Sequence, residues 1–467
     1  MQPLTVADIA KVTGGWVVAG QGEAQVTGVS TDSRKLKEGH LFVALPGEKV
    51  DGHAFVQASI NDAATAAMVS KDGDWACLPG KAVIKVPATG RALLDLAAWY
   101  RSQLPVRTVA VTGSTGKTTA KDLTFQVLTG QFSTLKNPGN LNTEVGLPLT
   151  LFNLEPEHQI AVVELGMRGP GQIAQLAQVA RPEVGVITNI GVAHIELLGS
   201  QKNIAQAKGE LLEYLPSDGL AVLNGDDPFV RSQAIRSRCP AVFFGMGPNN
   251  DFRAANIETM GTAGLSFDVT GPSGSERVRL PLLGRFNVLN SLAAMAVGHH
   301  FGLTLSEMAD ALSQVKPPAM RLNLIKRSDG TLIIDDVYNS NPVSMRGALQ
   351  TLVDLAAGKR TVVIVGDMLE LGDWGPQAHR EVGDQAAKQG VDCIITSGPL
   401  ARLAAEGAID AGMDSKRVFA CQDAVEAAQI AVNQVQPGDV VLVKASRGMY
   451  FERIVSALMQ ERRPGGP

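Results

Sequence analysis

TVAVTGSTGKTT, at residues 108–119, is the stretch around which the rest of the chain is organised. Its first half is a β-branched run typical of a buried strand, and a glycine-rich turn follows at once. After Lys117, apolar residues recur at helical spacing as far as Leu128. A strand, a glycine-rich turn and a helix N-terminus in succession predict a phosphate-binding loop, because the N–H groups of the turn and the helix dipole both attract anions.

The residue types of this turn suit a nucleotide. The nucleotide-binding residues predicted here are Gly113, Ser114, Thr115, Gly116, Lys117, Thr118 and Thr119. The Lys117 ammonium would neutralise the β- and γ-phosphates, and the Thr118 hydroxyl would bind Mg²⁺. Val111 stands where the general pattern has its first glycine, so this is the shorter T-G-x-x-G-K-T loop. A glycine-rich turn without function is the alternative, but a Lys-Thr-Thr run in this context seldom arises by chance.

Composition limits the class of protein. The 467 residues predict about three domains at roughly 150 residues each. The net charge is −4 and no basic run occurs, which disfavours binding to nucleic acid or to an anionic membrane surface. Four scattered cysteines indicate a reducing compartment. No signal peptide begins the sequence and no apolar stretch reaches 18 residues, so we expect a cytoplasmic protein without a membrane span.

The order of strand and helix patterns predicts an α/β fold of three domains. Residues 1–104 indicate a small N-terminal α/β domain, and residues 105–315 alternate strands with helices, as in a central P-loop ATPase with a parallel sheet. Within this region, residues 251–285 change to antiparallel patterns with a hairpin loop. Pro317-Pro318 marks a linker, and residues 316–467 predict a C-terminal Rossmann-like domain.

Three further residues belong to the predicted edge of the central sheet. Glu164 ends the strand IAVVELG, where an acid can hold Mg²⁺ beside the P-loop or simply cap a strand; the metal role is favoured. His194 follows the next strand, and structural and ligand roles are equally supported. Lys208 lies inside a helix, where a solvated lysine is the plain expectation, and its ammonium would be repelled by a bound metal ion.

Polar residues elsewhere in the chain are further candidates for ligand binding, and two pairs of them allow two interpretations. Ser33 and Arg34 could hold a phosphate group, although a solvated turn with a capping serine is the simpler interpretation. Asn287 and Asn290 share one helix face and could contact a purine, but amides more often cap helices. Asp336 ends the first strand of the third domain, again at a carboxyl end.

Taken together, the motifs resemble a known family. TGSTGKTT, VVELG, the AH and AKGE pair, GRFNVLN, the MRL after Pro317-Pro318 and DDVYNSNP occur in the order found in Mur ligases, from about residue 1 to 455. STDSRKLKEGHLFVALPGEKVDGHAF, DDVYNSNPVSM and VGDMLELG resemble the member that joins D-alanyl-D-alanine to UDP-N-acetylmuramoyl-tripeptide in peptidoglycan synthesis. The resemblance implies a monomeric ADP-forming amide ligase that works through an acyl phosphate. It also implies that the N-terminal domain holds the UDP end and that the C-terminal domain closes over ATP and brings the amine.

The resemblance also implies roles for individual residues. Two Mg²⁺ ions would be held by Thr118, Glu164, His194 and a carbamylated Lys208. Asn287 and Asn290 would contact the adenine of ATP. Asp336 would bind the ribose, and Arg321 would bind the phosphates. Substrate contacts would come from Ser33 and Arg34 for the UDP portion, from Asn140 and Asn142 for the muramoyl end, and from Asn339, Asn341, Ser446 and Arg447 for D-alanyl-D-alanine. Lys117, Glu164, His194, Lys208 and Arg321 would carry catalysis. Phe286 stands where the family usually has histidine, so no role of that histidine carries over.

Two alternatives remain open at the level of sequence. A related amide ligase, resembling other Mur ligases or folylpolyglutamate synthases, would use a different acceptor, and its N-terminal domain would not bind a UDP-sugar. A P-loop switch would hydrolyse ATP without regard to UDP-muramoyl peptides. Glu164, His194 and Lys208 argue against the switch, since it needs no second metal ion.

Overall fold

The computed structural model describes residues 1–47, 49–192 and 195–460 of the chain. Within these residues, strands and helices form three larger β-sheets and one two-stranded sheet, which agrees with the predicted α/β class. None of the described helices is long and apolar enough to cross a membrane.

The N-terminal region is built on a five-stranded sheet. It contains β1 (Leu4–Thr5), α1 (Val6–Thr13), β2 (Trp16–Gly20), β3 (Gln25–Val26), β4 (Gly28–Ser30), β5 (His40–Val43), α2 (Val56–Asn61), β6 (Ala66–Val69), β7 (Ala82–Lys85) and α3 (Thr89–Ser102). The sheet order is β2-β7-β6-β5-β4, and only β2 is antiparallel to its neighbour. The predicted strands VTGVS, HLFVAL and AVIKV are confirmed. The sequence did not predict β2, an edge strand without a fully buried residue.

The central region is built on a nine-stranded sheet. It contains β8 (Arg107–Thr112), α4 (Lys117–Thr129), β9 (Thr134–Lys136), α5 (Gly146–Leu151), β10 (Ile160–Glu164), α6 (Gln172–Ala180), β11 (Val184–Ile187), α7 (Ile195–Leu198), α8 (Gln201–Gly209), β12 (Leu220–Asn224), α9 (Pro228–Gln233), β13 (Ala241–Gly245), β14 (Phe252–Thr259), β15 (Leu265–Gly271), β16 (Gly274–Leu280), α10 (Phe286–His300) and α11 (Leu305–Ser313). The sheet order is β16-β15-β14-β13-β12-β11-β8-β10-β9.

Strand direction in this sheet follows the sequence pattern. The seven strands β8 to β14 are parallel to one another, and β14 pairs with β15 in antiparallel fashion. Strands β10 and β11 are fully buried and rich in β-branched residues, as expected where helices cover both faces. The predicted hairpin is confirmed, because β15 and β16 pair in antiparallel fashion up to Gly271 and Gly274. This arrangement leaves β8 between β10 and β11, so the carboxyl ends of three buried strands lie side by side.

The C-terminal region is built on a six-stranded sheet. It contains β17 (Asn323–Lys326), β18 (Leu332–Asp336), α12 (Pro342–Ala356), β19 (Thr361–Gly366), α13 (Gly375–Lys388), β20 (Cys393–Ser397), α14 (Arg402–Asp410), β21 (Val418–Cys421), α15 (Ala424–Gln434), β22 (Val440–Lys444) and α16 (Glu452–Met459). The order is β17-β18-β22-β19-β20-β21, parallel except at the edge strand β17, which the sequence did not predict.

Candidate active site

A cavity of about 730 Å³ lies between the central and C-terminal sheets. Both sheets present the carboxyl ends of parallel strands to it, which is where ligands bind in open α/β sheets. Most of the residues singled out by sequence line this cavity: Ser114, Thr115, Gly116, Lys117, Thr118, Thr119, Asn140, Asn142, Glu164, Asn287, Asn290, Arg321, Asp336, Asn339, Asn341, Ser446 and Arg447. The structure therefore brings together residues predicted for nucleotide, metal and substrate.

The loop between β8 and α4 is closely packed, and two glycines make this possible. A Cβ atom at Gly113 would lie 1.9 Å from the Thr188 hydroxyl oxygen. Gly116 has a φ of 77° and a Cβ atom there would lie 2.6 Å from Asn290 Oδ1. The Lys117 ammonium donates to the carbonyl oxygen of Gly113 at 2.9 Å. The loop is thus held in shape by its own lysine and by side chains of neighbouring elements.

Thr118 and Glu164 lie together at the ends of α4 and β10. The Thr118 hydroxyl donates to Glu164 Oε2 at 2.6 Å, and the Asn142 amide donates to Glu164 Oε1 at 2.6 Å. Because β10 pairs directly with β8, the prediction that this acid neighbours the P-loop is confirmed. A hydroxyl and a carboxylate are the hard oxygen ligands that Mg²⁺ prefers, so these two residues fit such an ion.

Lys208 is buried at the end of α8, with 1% of its surface exposed, which overturns the expectation of a solvated lysine. Burial lowers the pKa of Lys208 well below its usual value, and the positive charge of Lys117 acts in the same direction. Burial also lowers the pKa of Lys117. His194 lies outside the described residues. Among the residues that the structure describes, no three His, Cys, Asp or Glu side chains converge on one point as metal ligands would.

Arg321 reaches the P-loop from the segment that precedes the C-terminal sheet. Its Nη2 donates to the Thr118 hydroxyl at 3.1 Å, and its guanidinium lies 3.9 Å from the centroid of the Tyr338 ring. The flanking residues Met320 and Leu322 have φ values of 59° and 46°, a strained conformation for bulky side chains. Hydrogen bonds from Tyr338 N to Met320 O and from Leu322 N to Asp336 Oδ1 hold them there.

The two asparagines of α10 do not cap their helix. Asn290 donates to Asn287 Oδ1 at 2.9 Å, and Asn287 donates to the Leu283 carbonyl at 2.7 Å. Both amides are buried, and the residue at the capping position is Arg285. The commoner capping interpretation is therefore wrong for this pair. Phe286 lines the same cavity and lies against α12, since a Cβ atom at Gly347 would be 2.9 Å from its ring.

The C-terminal wall of the cavity is a hydrogen-bonded group. The buried Lys444 ammonium donates to Asp336 Oδ2 at 2.6 Å and to the Asn339 carbonyl at 2.9 Å. Asn341 caps α12 by accepting from Ser344 N.

Ser446 and Arg447 complete this wall of the cavity. Ser446 Oγ accepts from Leu369 N at 2.9 Å, and Arg447 Nη1 lies 3.2 Å from the sulfur of Met320. These contacts fix the polar groups that face the P-loop.

Ser33 and Arg34 lie in the N-terminal region, outside the lining of the cavity. They form a 3₁₀ turn over Ser33–Lys35, but its cap is Asp32 rather than the serine suggested by sequence. The Arg34 guanidinium donates to both carboxylate oxygens of Asp32, and these hydrogen bonds lower the pKa of Asp32 to about 2. The Arg34 side chain remains 86% exposed, so a ligand can reach it from solvent.

Four residues at the site were not found by sequence reasoning: Lys121, Asn137, Asn189 and Tyr338. Asn189 Oδ1 accepts from the backbone and the hydroxyl of Thr115, at 3.0 and 3.1 Å. It follows β11, so its position at the end of a predicted strand was an available signal. Lys121 was also detectable, because it interrupts the buried stripe of α4 one turn after Lys117.

Comparisons with known proteins agree along the whole chain. The families described as "Mur ligase family, catalytic domain", "Mur ligase middle domain" and "Mur ligase, glutamate ligase domain" match residues 25–112, 111–298 and 320–447. The UDP-N-acetylmuramoyl-tripeptide–D-alanyl-D-alanine ligase of Bacillus subtilis (strain 168) is 37% identical over 457 residues, covering 98% of each chain.

Two solved structures are similar to this one. Crystal structure I of MurF from Acinetobacter baumannii has a TM-score of 0.90 at 33% identity, covering 99% of this chain and 100% of that chain. MurF ligase from Thermotoga maritima in complex with ADP has a TM-score of 0.82 at 28% identity, covering 92% of this chain and 97% of that chain.

Proposed function

The chain belongs to the Mur ligase family. From its similarity to the relative from Bacillus subtilis we propose that it joins D-alanyl-D-alanine to UDP-N-acetylmuramoyl-tripeptide with conversion of ATP to ADP. The product is the UDP-N-acetylmuramoyl-pentapeptide of peptidoglycan synthesis. The relative from Bacillus subtilis, which carries this activity in its name, is matched over nearly its whole length.

One observation carries the proposal on the structural side. The P-loop and the polar C-terminal wall face the same cavity, so a carboxylate activated at Lys117 would stand next to groups that can bind an amine. A nucleotide switch would need only the wall of the cavity that carries the P-loop. The amide oxygens of Asn339 and Asn341 and the cation of Arg447 offer complementary contacts for the ammonium and carboxylate ends of a dipeptide.

In this reaction the terminal carboxylate of the tripeptide attacks the γ-phosphorus of ATP, and ADP leaves. The amine of D-alanyl-D-alanine then attacks the acyl phosphate carbon, and the tetrahedral intermediate expels phosphate. Lys117 and Arg321 supply positive charge where negative charge gathers on the transferring phosphoryl group. Their contacts with Gly113 and Thr118 hold both cations at the start of α4.

The metal site of the proposal uses Thr118 and Glu164, with His194 and Lys208 as the ligands of a second ion. These residues would hold Mg²⁺, which would supply positive charge to neutralise the phosphates and make the phosphorus more electrophilic. Lys208 would serve as a carbamate, the anion that forms when its neutral amine adds CO₂ and releases a proton to solvent. The lowered pKa of Lys208 supports this step, because only the uncharged amine is nucleophilic.

The remaining assignments concern nucleotide, substrate and assembly. We assign Asn287 and Asn290 to binding of adenine and Asp336 to binding of the ribose. We further assign three domains: residues 1–104 bind the UDP substrate, residues 105–315 bind ATP, and residues 316–467 bring the amine. Asn140 and Asn142 would meet the muramoyl end. We further propose a monomer that works in the cytoplasm, where ATP and the UDP precursor are available; light scattering tests the first point.

The experiment is to measure phosphate release from ATP and Mg²⁺ with UDP-N-acetylmuramoyl-tripeptide, with and without D-alanyl-D-alanine. We expect release that requires both substrates and a pentapeptide product identified by mass. Release that ignores both substrates would favour the switch. No turnover with this pair, together with turnover on another acid and amine, would keep the ligase chemistry and reject the acceptor. Lys117→Ala should abolish the activity.

A further inference from the structure

Lys121 is a buried lysine to which the proposed function assigns no role. It lies one turn after Lys117 in α4, and only 1% of its surface is exposed. Its ammonium donates to the Asn137 carbonyl at 2.8 Å and lies 3.5 Å from the Gly139 carbonyl. The carboxylate of Asp122 lies farther away, with its Oδ1 at 3.6 Å from the ammonium. Its firmest contacts are therefore with the backbone of the loop that follows β9.

Asn137, whose carbonyl accepts from Lys121, also contacts Glu164. The Asn137 side chain is fully buried; its Oδ1 accepts from Glu164 N at 2.9 Å, and its Nδ2 donates to the Leu141 carbonyl at 3.0 Å. One residue therefore ties the start of the 137–142 loop to its own end and to the last residue of β10. The carbonyl that Lys121 holds belongs to this same residue.

The far end of the loop also contacts Glu164, in this case at its carboxylate. Asn142 donates to Glu164 Oε1 at 2.6 Å, and its carbonyl accepts from Gly166 N at 2.8 Å. Lys121, Asn137, Asn142 and Glu164 thus form a continuous network from the P-loop helix to the carboxylate beside Thr118. A shift at Lys121 would therefore reach Glu164, which is proposed to hold Mg²⁺.

The residue type itself is informative. A buried ammonium loses its hydration, and a Met or Leu would fill much of the same space without that cost. A lysine at this position is explained by the carbonyl groups it satisfies, since buried carbonyl oxygens without a donor are unfavourable. The loop that it holds lines the active cavity through Asn140 and Asn142.

We infer that Lys121 is a positioning residue of the ligase reaction: it fixes the 137–142 loop and, through Asn137, sets Glu164 and Asn142 for the metal ion and the UDP substrate. This inference rests on the proposed function. It predicts a selective effect, because the residues assigned to D-alanyl-D-alanine lie on the other wall of the cavity.

The test compares Lys121→Met and Lys121→Gln with Lys136→Met. Lys136 is a matched control: it lies in β9, contacts the same Asp122 at 2.7 Å, and its side chain is 35% exposed. For each protein we would measure the Kd for Mg²⁺ of the ADP-bound enzyme by calorimetry, the three substrate KM values, kcat and the thermal unfolding temperature.

We expect both Lys121 variants to weaken Mg²⁺ binding and raise the KM for the UDP substrate about tenfold or more, the range seen when a residue behind a metal ligand is lost. The KM for D-alanyl-D-alanine should stay within about twofold, and Lys136→Met should match the wild type.

Three outcomes would overturn the inference: Lys121 variants that match Lys136→Met, an equal rise in all three KM values, or failure of both Lys121 variants to fold. An inactive wild-type enzyme would instead contradict the proposed function, while the calorimetric comparison would still decide on Lys121.

Discussion

Arg321 and Thr118 are 203 residues apart in the chain, yet Arg321 Nη2 donates a hydrogen bond to the Thr118 hydroxyl at 3.1 Å. The same hydroxyl donates to Glu164, so one oxygen joins the segment before the C-terminal sheet to the carboxylate at the end of β10 in the central sheet. The cation therefore reaches the phosphate loop only when the two sheets face each other as they do here.

This geometry predicts a loss of turnover in Arg321→Ala. We expect kcat to fall about 100-fold or more, because the proposed role of Arg321 is to stabilise negative charge on the transferring phosphoryl group. The KM for the UDP substrate should change little, since its predicted contacts lie elsewhere. Steady-state ADP release measures both values. Arg346→Ala, which removes an exposed arginine of α12, is the control; similar kcat values in the two variants would contradict the role of Arg321.

Lys208→Ala should be nearly inactive, and short carboxylates such as formate should restore part of the activity. The added anion would replace the carbamate in the cavity that the shortened side chain leaves. Activity of the wild type should also fall in CO₂-depleted buffer and return with bicarbonate.

The matched control for Lys208 is Lys202→Ala, on the same helix but exposed. It should behave as the wild type in every buffer. A Lys208→Ala protein that no carboxylate rescues, together with a wild type that is indifferent to CO₂, would remove the support for a carbamate.

Arg34→Ala should raise the KM for the UDP substrate about tenfold, as expected for the loss of one charge-assisted hydrogen bond, and leave the KM for ATP unchanged. The turn itself should survive, because Asp32 still accepts from the backbone N–H of residue 34. Lys35→Ala is the control, since Lys35 is 80% exposed and 3.9 Å from the same carboxylate. A larger effect on ATP than on the UDP substrate would place Arg34 in another role.

The sequence predicted what depends on local pattern. The P-loop follows from a strand, glycines and a helix start, and Glu164 follows from its place at a strand end. The mixed character of the central sheet was also visible, because the antiparallel hairpin has its own turn residues. Each of these features is encoded in one continuous stretch of the sequence.

Features that depend on contacts between segments distant in sequence could not be predicted from local sequence patterns. The solvated interpretation of Lys208 was wrong because burial of α8 depends on packing between helices distant in sequence. The capping interpretation of Asn287 and Asn290 was wrong because both amides find partners within the site. Asn137 joins three segments, and no pattern within one of them reveals the other two.

Asp335 gives a prediction about stability rather than activity. It is 7% exposed, and its Oδ1 has no hydrogen-bond partner in the part of the chain that the structure describes. Burial raises the pKa of Asp335 from 3.8 to about 6, and the charges of Asp336 and Glu452 act in the same direction. The folded protein thus binds this proton more tightly than the unfolded chain does.

The sign of the pH effect follows from that difference. Between pH 3.8 and about 6 the folded state holds a proton that the unfolded state has released, so the contribution of Asp335 to the free energy of unfolding falls as pH rises. The full change is about 3 kcal/mol. Asp335→Asn should therefore match the wild type near pH 4 and be the more stable protein at pH 7.5. Urea unfolding at both pH values measures this, with the exposed Asp310→Asn as control. An Asp335→Asn protein whose advantage is the same at both pH values would show that ionisation of Asp335 is not the cause.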